Sequence, residues 1–364
     1  MILKEHKVTD YRNIAQASFV PGPSLTVICG KNGQGKTNLL ESIWLLSGAK
    51  SFRGSKDGDL VRRGAQFALI ESACLDEQGE SQSFRIAVGG AEAPKKGRWA
   101  KLNGVDMGRA TNLAGNFYAV VFAPGHLSLV KGSPEERRRF LDAALCQLYP
   151  RYIELYRRYA QALRQKNALL KDARRFAGLD ELLDSFDEEL ARTGAELCRF
   201  RERYLAGLFP LAERNYAGIS DESESCLFGY EPCADSAEGL YDLMAAARAA
   251  DIRAGFATCG PHREDIRITI GGEDARAFGS QGQQRSAVLS LKLAEAAMVE
   301  QVTGTGPAIL LDDVLSELDA ARQAFLLGRI EGRQVFITSC DAALFDQKEG
   351  SVFKMDAGVL EQVR

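Results

Sequence analysis

Residues 25–37 read LTVICGKNGQGKT, an apolar run that ends in a glycine-rich loop. Glycines at this spacing let backbone N–H groups surround an anionic phosphate, while a lysine reaches the β- and γ-phosphates and a hydroxyl holds magnesium. The apolar run predicts a buried strand, and apolar residues at helical spacing after the loop predict a helix whose positive end faces the phosphates. The stretch therefore predicts a nucleotide site, in which Thr37 holds the magnesium ion, made by Gly30, Lys31, Asn32, Gly33, Gln34, Gly35, Lys36 and Thr37.

The composition is that of a folded protein large enough for two lobes. The chain has 364 residues, of which 45% are hydrophobic, and a formal net charge of -3. Any DNA contact must therefore come from a local patch of basic residues. The eight cysteines include no C-x-x-C pair, which favours reduced thiols in a cytoplasmic protein. No apolar run approaches the roughly 18 residues that a membrane span needs, so we expect no membrane contact.

The segments on both sides of the loop predict β-structure. Residues 2–28 read as short strands, and Arg12 within them lies either at the edge of the nucleotide or on an exposed hairpin. Residues 65–122 contain β-rich runs separated by turn signals, one of them at 77–79, which predicts an antiparallel meander. A basic run around Trp99 is either a DNA contact or a solvated loop, and comprises Lys95, Lys96, Arg98 and Lys101.

A helical lobe follows, because the apolar period changes from 2 to 3.6. Residues 133–136 (SPEE) predict a capping box with proline at the first helical position. Apolar seams over residues 152–170 and 179–208 then predict an antiparallel coiled-coil hairpin joined around 177–178. Its longer arm is expected to end at Pro210 and to project ~45 Å.

The two arms of this hairpin carry opposite charges. Residues 151–175 have eight basic and two acidic side chains, and residues 180–196 have seven acidic side chains. Pairing between the helices is the simplest explanation, and a DNA-facing role for part of the basic arm is the alternative.

Residues 308–313 (AILLDD) predict a buried parallel strand that delivers two carboxylates beside the phosphates. Asp312 is expected to hold magnesium, directly or through water, and Asp313 to lie one residue closer to the γ-phosphate. The alternative is that either carboxylate only caps the next helix. The other predicted elements of this part of the chain are a strand at 266–270, a helix ending near Gln301, a strand at 334–338 and a closing hairpin at 352–363.

Three segments together carry a family resemblance: the loop at 30–37, GSQGQQR at 279–285, and LDD at 311–313 with SELD at 316–319. They resemble the ATP-binding-cassette (ABC) ATPases of the SMC class, and shorter motifs extend the resemblance along the whole chain. It implies an α/β fold with an ABC-type P-loop ATPase head, which includes the antiparallel meander, and a helical lobe containing the coiled-coil-like hairpin. The implied division is a discontinuous head of residues 1–125 and 256–364, and a helical arm lobe of residues 126–255.

The resemblance also implies an ATPase site that two copies share. The segment Ser280, Gln281, Gly282 and Gln283 of one copy would cover the γ-phosphate of ATP held by the other. The alternative is that Ser280 only caps its own helix. The implied cofactors are ATP and Mg²⁺, the implied active species is an ATP-dependent homodimer, and the implied catalytic residues are Lys36, Asp313 and Ser280.

The implied function is that of an ATP-dependent, DNA-binding ATPase of recombinational repair. It would dimerise on single-stranded and gapped duplex DNA and support replication restart and SOS induction, with the RecR and RecO repair proteins as partners. The resemblance implies that DNA stimulates turnover, and three departures from the broader class predict slow turnover and leave the γ-phosphate sensor undefined. Asp313 stands in place of glutamate, residues 338–341 (TSCD) in place of a switch histidine, and His126 near an expected glutamine.

Three other interpretations compete with this one. The missing switch histidine and the coiled-coil pattern disfavour the ATPase subunit of an ABC transporter. The lack of a further acidic cluster after the ATPase segments disfavours a nuclease of the overcoming-lysogenization type. A scaffold in which ATP is only a dimerising ligand stays open.

Overall fold

The computed structural model of the protein describes residues 1–76, 78–90, 95–173, 178–340 and 349–364. Glu77 of the predicted turn, residues 174–177 at the predicted helix junction and Asp341 lie outside the described residues. The strands are β1 (Ile2–Tyr11), β2 (Ile14–Phe19), β3 (Leu25–Cys29), β4 (Phe67–Leu75), β5 (Ser81–Gly89), β6 (Gly97–Leu102), β7 (Val105–Arg109), β8 (Ala119–Phe122), β9 (Cys226–Tyr230), β10 (Ile266–Ile270), β11 (Glu273–Asp274), β12 (Ala308–Asp312), β13 (Val335–Ser339), β14 (Ser351–Asp356) and β15 (Val359–Gln362). The helices are α1 (Lys36–Trp44), α2 (Ser128–Lys131), α3 (Pro134–Leu148), α4 (Pro150–Lys171), α5 (Leu179–Ile219), α6 (Ala237–Ala254), α7 (Gln281–Thr303) and α8 (Ala320–Arg329).

A six-stranded central sheet has the order β15-β14-β3-β13-β12-β8. Its strands are parallel except for β15, which forms the predicted closing hairpin with β14. Strand β13 lies between β3, which leads into the glycine-rich loop, and β12, which ends in Asp312. The carboxyl ends of these three strands therefore meet at one edge, where ligands bind in open parallel sheets.

The central sheet is buried on both faces. Ile28, Leu310 and Phe336 pack into a core shared with α1 and the outer sheet. Val27, Leu311 and Ile337 pack into a second core with the long helices. Because both faces are covered there, β8, β12 and β13 are buried at every position rather than at alternate ones, as the sequence at 308–313 predicts for β12.

The outer sheet is antiparallel, with the order β2-β1-β4-β5-β6-β7. It confirms the predicted meander through β7. The prediction is wrong for residues 119–122, which pair in parallel with β12 in the central sheet instead. His6 joins this sheet to α1, since its ring nitrogens lie 2.8 Å from Ser72 Oγ and 2.7 Å from Ser42 Oγ. Burial lowers the pKa of His6 to about 3, so the ring is neutral near pH 7.

The long helix α5 organises the helical lobe. It has 41 residues, or about 60 Å, and packs against α4, α6 and α7. The predicted end at Pro210 is wrong, because the helix continues through it to Ile219. Pro210 lies on the exposed side, while Ala212 and Tyr216 stay fully buried in the core. The free energy gained by burying Ala212 and Tyr216 outweighs the loss of the backbone hydrogen bond that Pro210 cannot donate.

Most of α5 is part of the globular core and does not project as an arm. Leu190, Tyr204 and Leu208 belong to the core beneath the central sheet. Only a small separate cluster, centred on Leu169, Leu170 and Leu183, marks a distal tip. The prediction that this arm projects ~45 Å is therefore wrong. Helices α6 and α7 pack against α5, and the sequence pattern does not indicate these two neighbours.

The predicted pairing between the hairpin arms is confirmed. Arg151 lies 2.7 Å from Glu196, and Arg158 lies 3.0 Å from Glu189. The predicted capping box at the start of α3 is wrong, because the Ser133 side chain makes no capping hydrogen bond. Arg139 instead forms ion pairs with the two glutamates of that first turn, Glu135 and Glu136.

A third, three-stranded sheet has the order β11-β10-β9. Strand β10 pairs with β9 along its whole length, from Ile266 opposite Tyr230 to Ile270 opposite Cys226. The predicted boundary after residue 255 therefore places β9 in the helical lobe and β10 in the head, although the two strands pair. Residues 266–270 pack with the helical lobe. Within the described ranges, none of the helices has a segment both long and apolar enough to cross a membrane.

Candidate nucleotide site

The glycine-rich loop joins β3 to α1 in the strand-loop-helix order that its sequence predicts. Gly30 has φ 149°, and a Cβ there would lie 2.3 Å from the carbonyl oxygen of Met355. Gly35 precedes α1 with φ 117°, and a Cβ there would lie 2.9 Å from Asn13 Oδ1. Both positions therefore require glycine, since a side chain would collide with neighbours and strain the backbone.

Lys36 folds back over this loop. Its Nζ donates hydrogen bonds to the carbonyl oxygens of Gly30 at 2.6 Å and Lys31 at 3.1 Å. The residue is buried, so its ammonium group is held inside the loop. A cation in this position attracts the β- and γ-phosphates of a nucleotide that enters the loop.

Asp312 and Thr37 meet at the same edge. Thr37 Oγ1 donates to Asp312 Oδ1 at 2.7 Å, although the two residues are far apart in the chain. Burial raises the pKa of Asp312, with the nearby Asp313 adding to the increase, so a cation would stabilise its charged form. A hydroxyl and a carboxylate are the hard oxygen donors that Mg²⁺ prefers, so these residues fit the ion.

Asp313 follows directly and has a left-handed backbone, with φ 54°. Its amide donates to Thr338 Oγ1 at 2.9 Å, and Thr338 Oγ1 in turn donates to Asp312 Oδ1 at 2.9 Å. Asp313 is only half-buried. The sequence indicates Thr338 only as part of the segment 338–341 and not as a partner of Asp312 and Asp313, because that role depends on which strand lies beside β12.

A second missed group lies on the other side of the loop. Asn13 Nδ2 contacts the carbonyl oxygens of Gly33 at 3.3 Å and Gln34 at 3.2 Å. Asn38 on α1 donates to Asn13 Oδ1 at 2.7 Å. The prediction that the adjacent Arg12 lies at the edge of the nucleotide is the only sequence signal for this group.

Arg12 has a protein partner. Its guanidinium makes two hydrogen bonds to the buried carboxylate of Glu41, at 2.7 and 3.0 Å, and a third to Ser55 Oγ at 2.8 Å. These bonds hold Arg12 beside α1 close to the loop. Contact between Arg12 and the nucleotide stays a prediction.

The signature segment begins α7. Ser280 is exposed, and its Oγ accepts from the Gln283 amide at 3.3 Å, while Gln283 Oε1 accepts from the Ser280 amide at 2.7 Å. Ser280 therefore caps its own helix. No hydrogen bond joins residues 280–283 to the phosphate loop in the part of the chain that the structure describes.

The residues that stand in place of the family's γ-phosphate sensors have different surroundings. His126 Nδ1 accepts from the Ala123 amide at 3.3 Å, and desolvation, with the charge of Lys292, lowers its pKa well below the usual value. Cys340 is exposed, with its Sγ 3.6 Å from Lys36 Nζ and 3.0 Å from Asn32 Oδ1. Of the predicted segment 338–341, Thr338 therefore touches Asp312 and Cys340 touches the loop.

The basic run around Trp99 divides between the two faces of β6. Lys95, Lys96 and Lys101 are exposed, and Lys95 Nζ lies 3.4 Å from the centre of the Trp99 ring. Arg98 points inward, is 5% exposed, and forms an ion pair with Asp57 at 2.9 Å. The prediction that Arg98 contacts DNA is therefore wrong, because a strand alternates its side chains between faces.

One cysteine cluster is a hydrogen-bonded part of the core. The ligand atoms of Cys198, Cys233 and Glu264 lie within 4.8 Å of one another. The Glu264 carboxylate already pairs with Arg201 at 2.8 Å, and the hydrogen bond with Cys233, then burial, raises the pKa of Cys198. The Cys198 thiol is therefore protonated near pH 7 and donates to Glu264 Oε1 at 3.1 Å.

Comparison with known sequences gives matches along almost the whole chain. The family described as the RecF/RecN/SMC N terminal domain matches residues 2–358. The DNA replication and repair protein RecF of Heliobacterium modesticaldum is 38% identical over 365 residues, covering 97% of this chain and 96% of that protein. The protein of the same name from Lactobacillus delbrueckii subsp. bulgaricus is 37% identical over 373 residues, covering 98% and 96%.

Solved structures agree with these matches. A structure of the recombination mediator protein RecF-ATPrS in the RecFOR pathway has a TM-score of 0.91 at 32% identity, covering all of this chain and 98% of that one. The Smc head domain of Pyrococcus furiosus has a TM-score of 0.57 at 16% identity, which shows a shared fold. The predicted α/β ATPase head with a helical lobe is confirmed. The chain belongs to the RecF/RecN/SMC family and matches its RecF members from end to end.

Proposed function

We propose that the protein is an ATP-dependent DNA-repair ATPase in which two copies close head to tail around ATP and Mg²⁺. The observation that carries the proposal is the convergence of Lys36, Thr37, Asp312 and Asp313 at one edge of the central sheet. The family supports it, since relatives are named DNA replication and repair proteins and one solved relative is described as RecF-ATP.

Each residue at this edge has its own part in hydrolysis. Lys36 binds the β- and γ-phosphates, and Thr37 and Asp312 hold Mg²⁺, which neutralises phosphate charge when bound. Asp313 orients the attacking water and accepts its proton. Its side chain is one methylene shorter than glutamate, which supports slow turnover.

The second copy supplies the segment that covers the γ-phosphate bound in the loop of the first. The exposed position of Ser280 at the start of the 23-residue helix α7 supports this proposal, because a free helix N-terminus attracts phosphate. Ser280 can cap α7 and face the partner's γ-phosphate at once, because its Oγ accepts from the Gln283 amide and keeps its hydroxyl proton free to donate. Two hydrogen bonds also tie α7 to the segment after Asp313: Arg285 donates to the Glu317 carbonyl at 3.2 Å, and Arg322 donates to Ser286 Oγ at 2.9 Å.

The proposed DNA contact lies around Trp99 and comprises the exposed residues just before β6 and on β6 and β7. Lys95, Lys96 and Lys101 are exposed there, and Arg109 lies 4.4 Å from the centre of the Trp99 ring. Such a group fits the phosphate backbone of single-stranded or gapped DNA. We extend the proposal to DNA-stimulated turnover and to RecO and RecR as partners, which is supported by a solved relative described in the RecFOR pathway.

Ser280→Arg tests the shared site. We expect ATP affinity within roughly threefold of the parent but no ATP-dependent dimer and no turnover, because the bulky cation blocks the partner's approach without touching the copy's own loop. Light scattering with Mg²⁺ and ATP measures the dimer, and phosphate release measures turnover. Ser185→Arg, at an exposed serine on α5, is the control and should behave as the parent. A Ser280→Arg protein that still dimerises with ATP would refute the shared site.

Removing the three exposed lysines tests the DNA contact. The triple variant Lys95→Ala, Lys96→Ala and Lys101→Ala should bind gapped DNA more weakly and with a shallower salt dependence. The logarithmic slope should fall by roughly 0.9 for each duplex phosphate that the variant no longer neutralises. Fluorescence anisotropy over a salt series measures both the affinity and the slope.

The control for this variant removes three exposed arginines of α5, Arg199, Arg203 and Arg214, and should keep the parental slope. It matches the triple lysine variant in the number of positive charges removed. Equal salt-dependence slopes in the parent, the triple lysine variant and the triple arginine variant would show that the lysines lie in a solvated loop that does not contact DNA.

A further inference from the structure

We propose that Thr338 is a positioning residue for ATP hydrolysis, whose single hydroxyl holds both the Asp312 carboxylate and the backbone amide of Asp313. It holds Asp312 by donating to it and Asp313 by accepting from its amide. The inference rests on the proposed ATPase function, and it assigns a role in the site to a strand that carries neither the phosphate loop nor the acidic pair.

The strand order places Thr338 where this is possible. Strand β13 lies between β3 and β12, and Thr338 is the register partner of Asp312. Both oxygen-to-partner distances are 2.9 Å, and Thr338 is only 2% exposed. Both hydrogen bonds are therefore direct contacts between protein atoms, with no bridging water.

The direction of both hydrogen bonds is fixed by chemistry. A backbone amide only donates, so Thr338 Oγ1 must accept from Asp313. The one hydroxyl proton is then left for Asp312 Oδ1, which also accepts from Thr37 Oγ1 at 2.7 Å. The two hydroxyls hold the Asp312 carboxylate from the loop side and from the β13 side.

The bond to Asp313 acts at the point where the chain leaves β12. Asp313 has φ 54°, a left-handed conformation that residues other than glycine seldom adopt. Its amide hydrogen bond to Thr338 helps to hold this conformation. The conformation in turn sets the direction in which the Asp313 side chain leaves the sheet, and hence where it meets the attacking water.

A purely structural role for this threonine is the competing explanation, and the same sheet offers a matched control. Thr26 on β3 is fully buried, and its Oγ1 accepts from the Gly22 amide at 2.9 Å, away from the carboxylates. Loss of the Thr26 hydroxyl should lower stability without a selective effect on turnover.

The experiment compares four variants with the parent: Thr338→Val, Thr338→Ala, Thr338→Ser and Thr26→Val. Thr338→Val keeps the shape and removes the hydroxyl, Thr338→Ala removes it without placing a methyl group beside Asp312, and Thr338→Ser keeps it. For each protein, kcat for phosphate release, Kd for ATP and the melting temperature are measured. Hydrogen exchange of the peptide covering residues 309–316 reports on the Asp313 amide independently of activity.

We expect kcat to fall roughly 10- to 100-fold in Thr338→Val and Thr338→Ala, because small displacements of a reacting group have effects of this size. The Kd for ATP should stay within about threefold, since Lys36 and the loop are untouched. Thr338→Ser should keep kcat within about threefold, and exchange in the 309–316 peptide should rise in the first two variants only. Thr26→Val should change the melting temperature alone.

Three results would overturn the inference. One is a kcat within threefold of the parent in either Thr338→Val or Thr338→Ala. Another is an equal loss of kcat in Thr338→Ser, which would indicate packing rather than the hydroxyl. The third is unchanged exchange in the 309–316 peptide. A parent protein without any ATP turnover would refute the proposed function instead, while the exchange measurement would still decide whether Thr338 holds Asp313.

Discussion

Lys36→Ala is expected to weaken ATP binding roughly 100-fold and to abolish turnover. Its ammonium group lies at the loop that would receive the β- and γ-phosphates, where it donates to the Gly30 and Lys31 carbonyl oxygens. Hydrogen bonds from a charged group to phosphate contribute about 3 kcal/mol together, so ATP should bind roughly 100-fold more weakly. Titration with a fluorescent ATP analogue measures the affinity, and phosphate release with and without gapped DNA measures turnover.

A matched lysine separates this effect from a change in net charge. Lys131→Ala removes an exposed lysine at the end of α2 and should bind ATP as the parent does. ATP affinity within threefold of the parent in Lys36→Ala would contradict the phosphate role of the loop. Turnover in the parent that is lost in Lys36→Ala would also argue against a scaffold that uses ATP only to dimerise.

The parts of the site that could be predicted are those encoded within one short segment. The loop at 30–37 carries its glycines, lysine and hydroxyl within eight residues, and Asp312 follows an apolar run that predicts a buried strand. In both cases the local pattern determines the conformation and the conformation determines the chemistry. The contact between Thr37 and Asp312 then follows from the parallel sheet.

The missed and mistaken features depend on which elements become neighbours. Thr338 has a role only because β13 lies beside β12, and no pattern within residues 334–338 indicates that order. Pro210 reads as a helix end because the rule is local, whereas the structure is decided by burial of Tyr216 against a distant part of the chain. Arg98 belongs to a basic run, yet strand alternation turns it towards Asp57.

A buried charge cluster in the helical lobe shows the same dependence on distant neighbours. Lys166 on α4 has no exposed surface, and its Nζ lies 2.7 Å from Asp187 on α5 and 2.9 Å from Asp251 on α6. Arg248 lies 3.2 Å from Asp187 and balances the second carboxylate. Although burial lowers it, hydrogen bonds and the charges of the two aspartates hold the pKa of Lys166 above its usual value. One ammonium group therefore joins three helices.

Lys166→Met is expected to destabilise this lobe by about 3–5 kcal/mol, because it leaves two buried carboxylates without their shared cation. Urea denaturation followed by circular dichroism measures the loss, with Lys171→Met, at an exposed lysine near the end of the same helix, as the control. The triple variant Lys166→Met, Asp187→Leu and Asp251→Leu should recover part of the loss, since removing all the buried charges is far less costly than removing one partner. ATP affinity should be unchanged in folded Lys166→Met protein, because the cluster makes no contact with the phosphate loop among the described residues. A Lys166→Met protein as stable as Lys171→Met would show that the buried ion pairs contribute nothing to holding α4, α5 and α6 together.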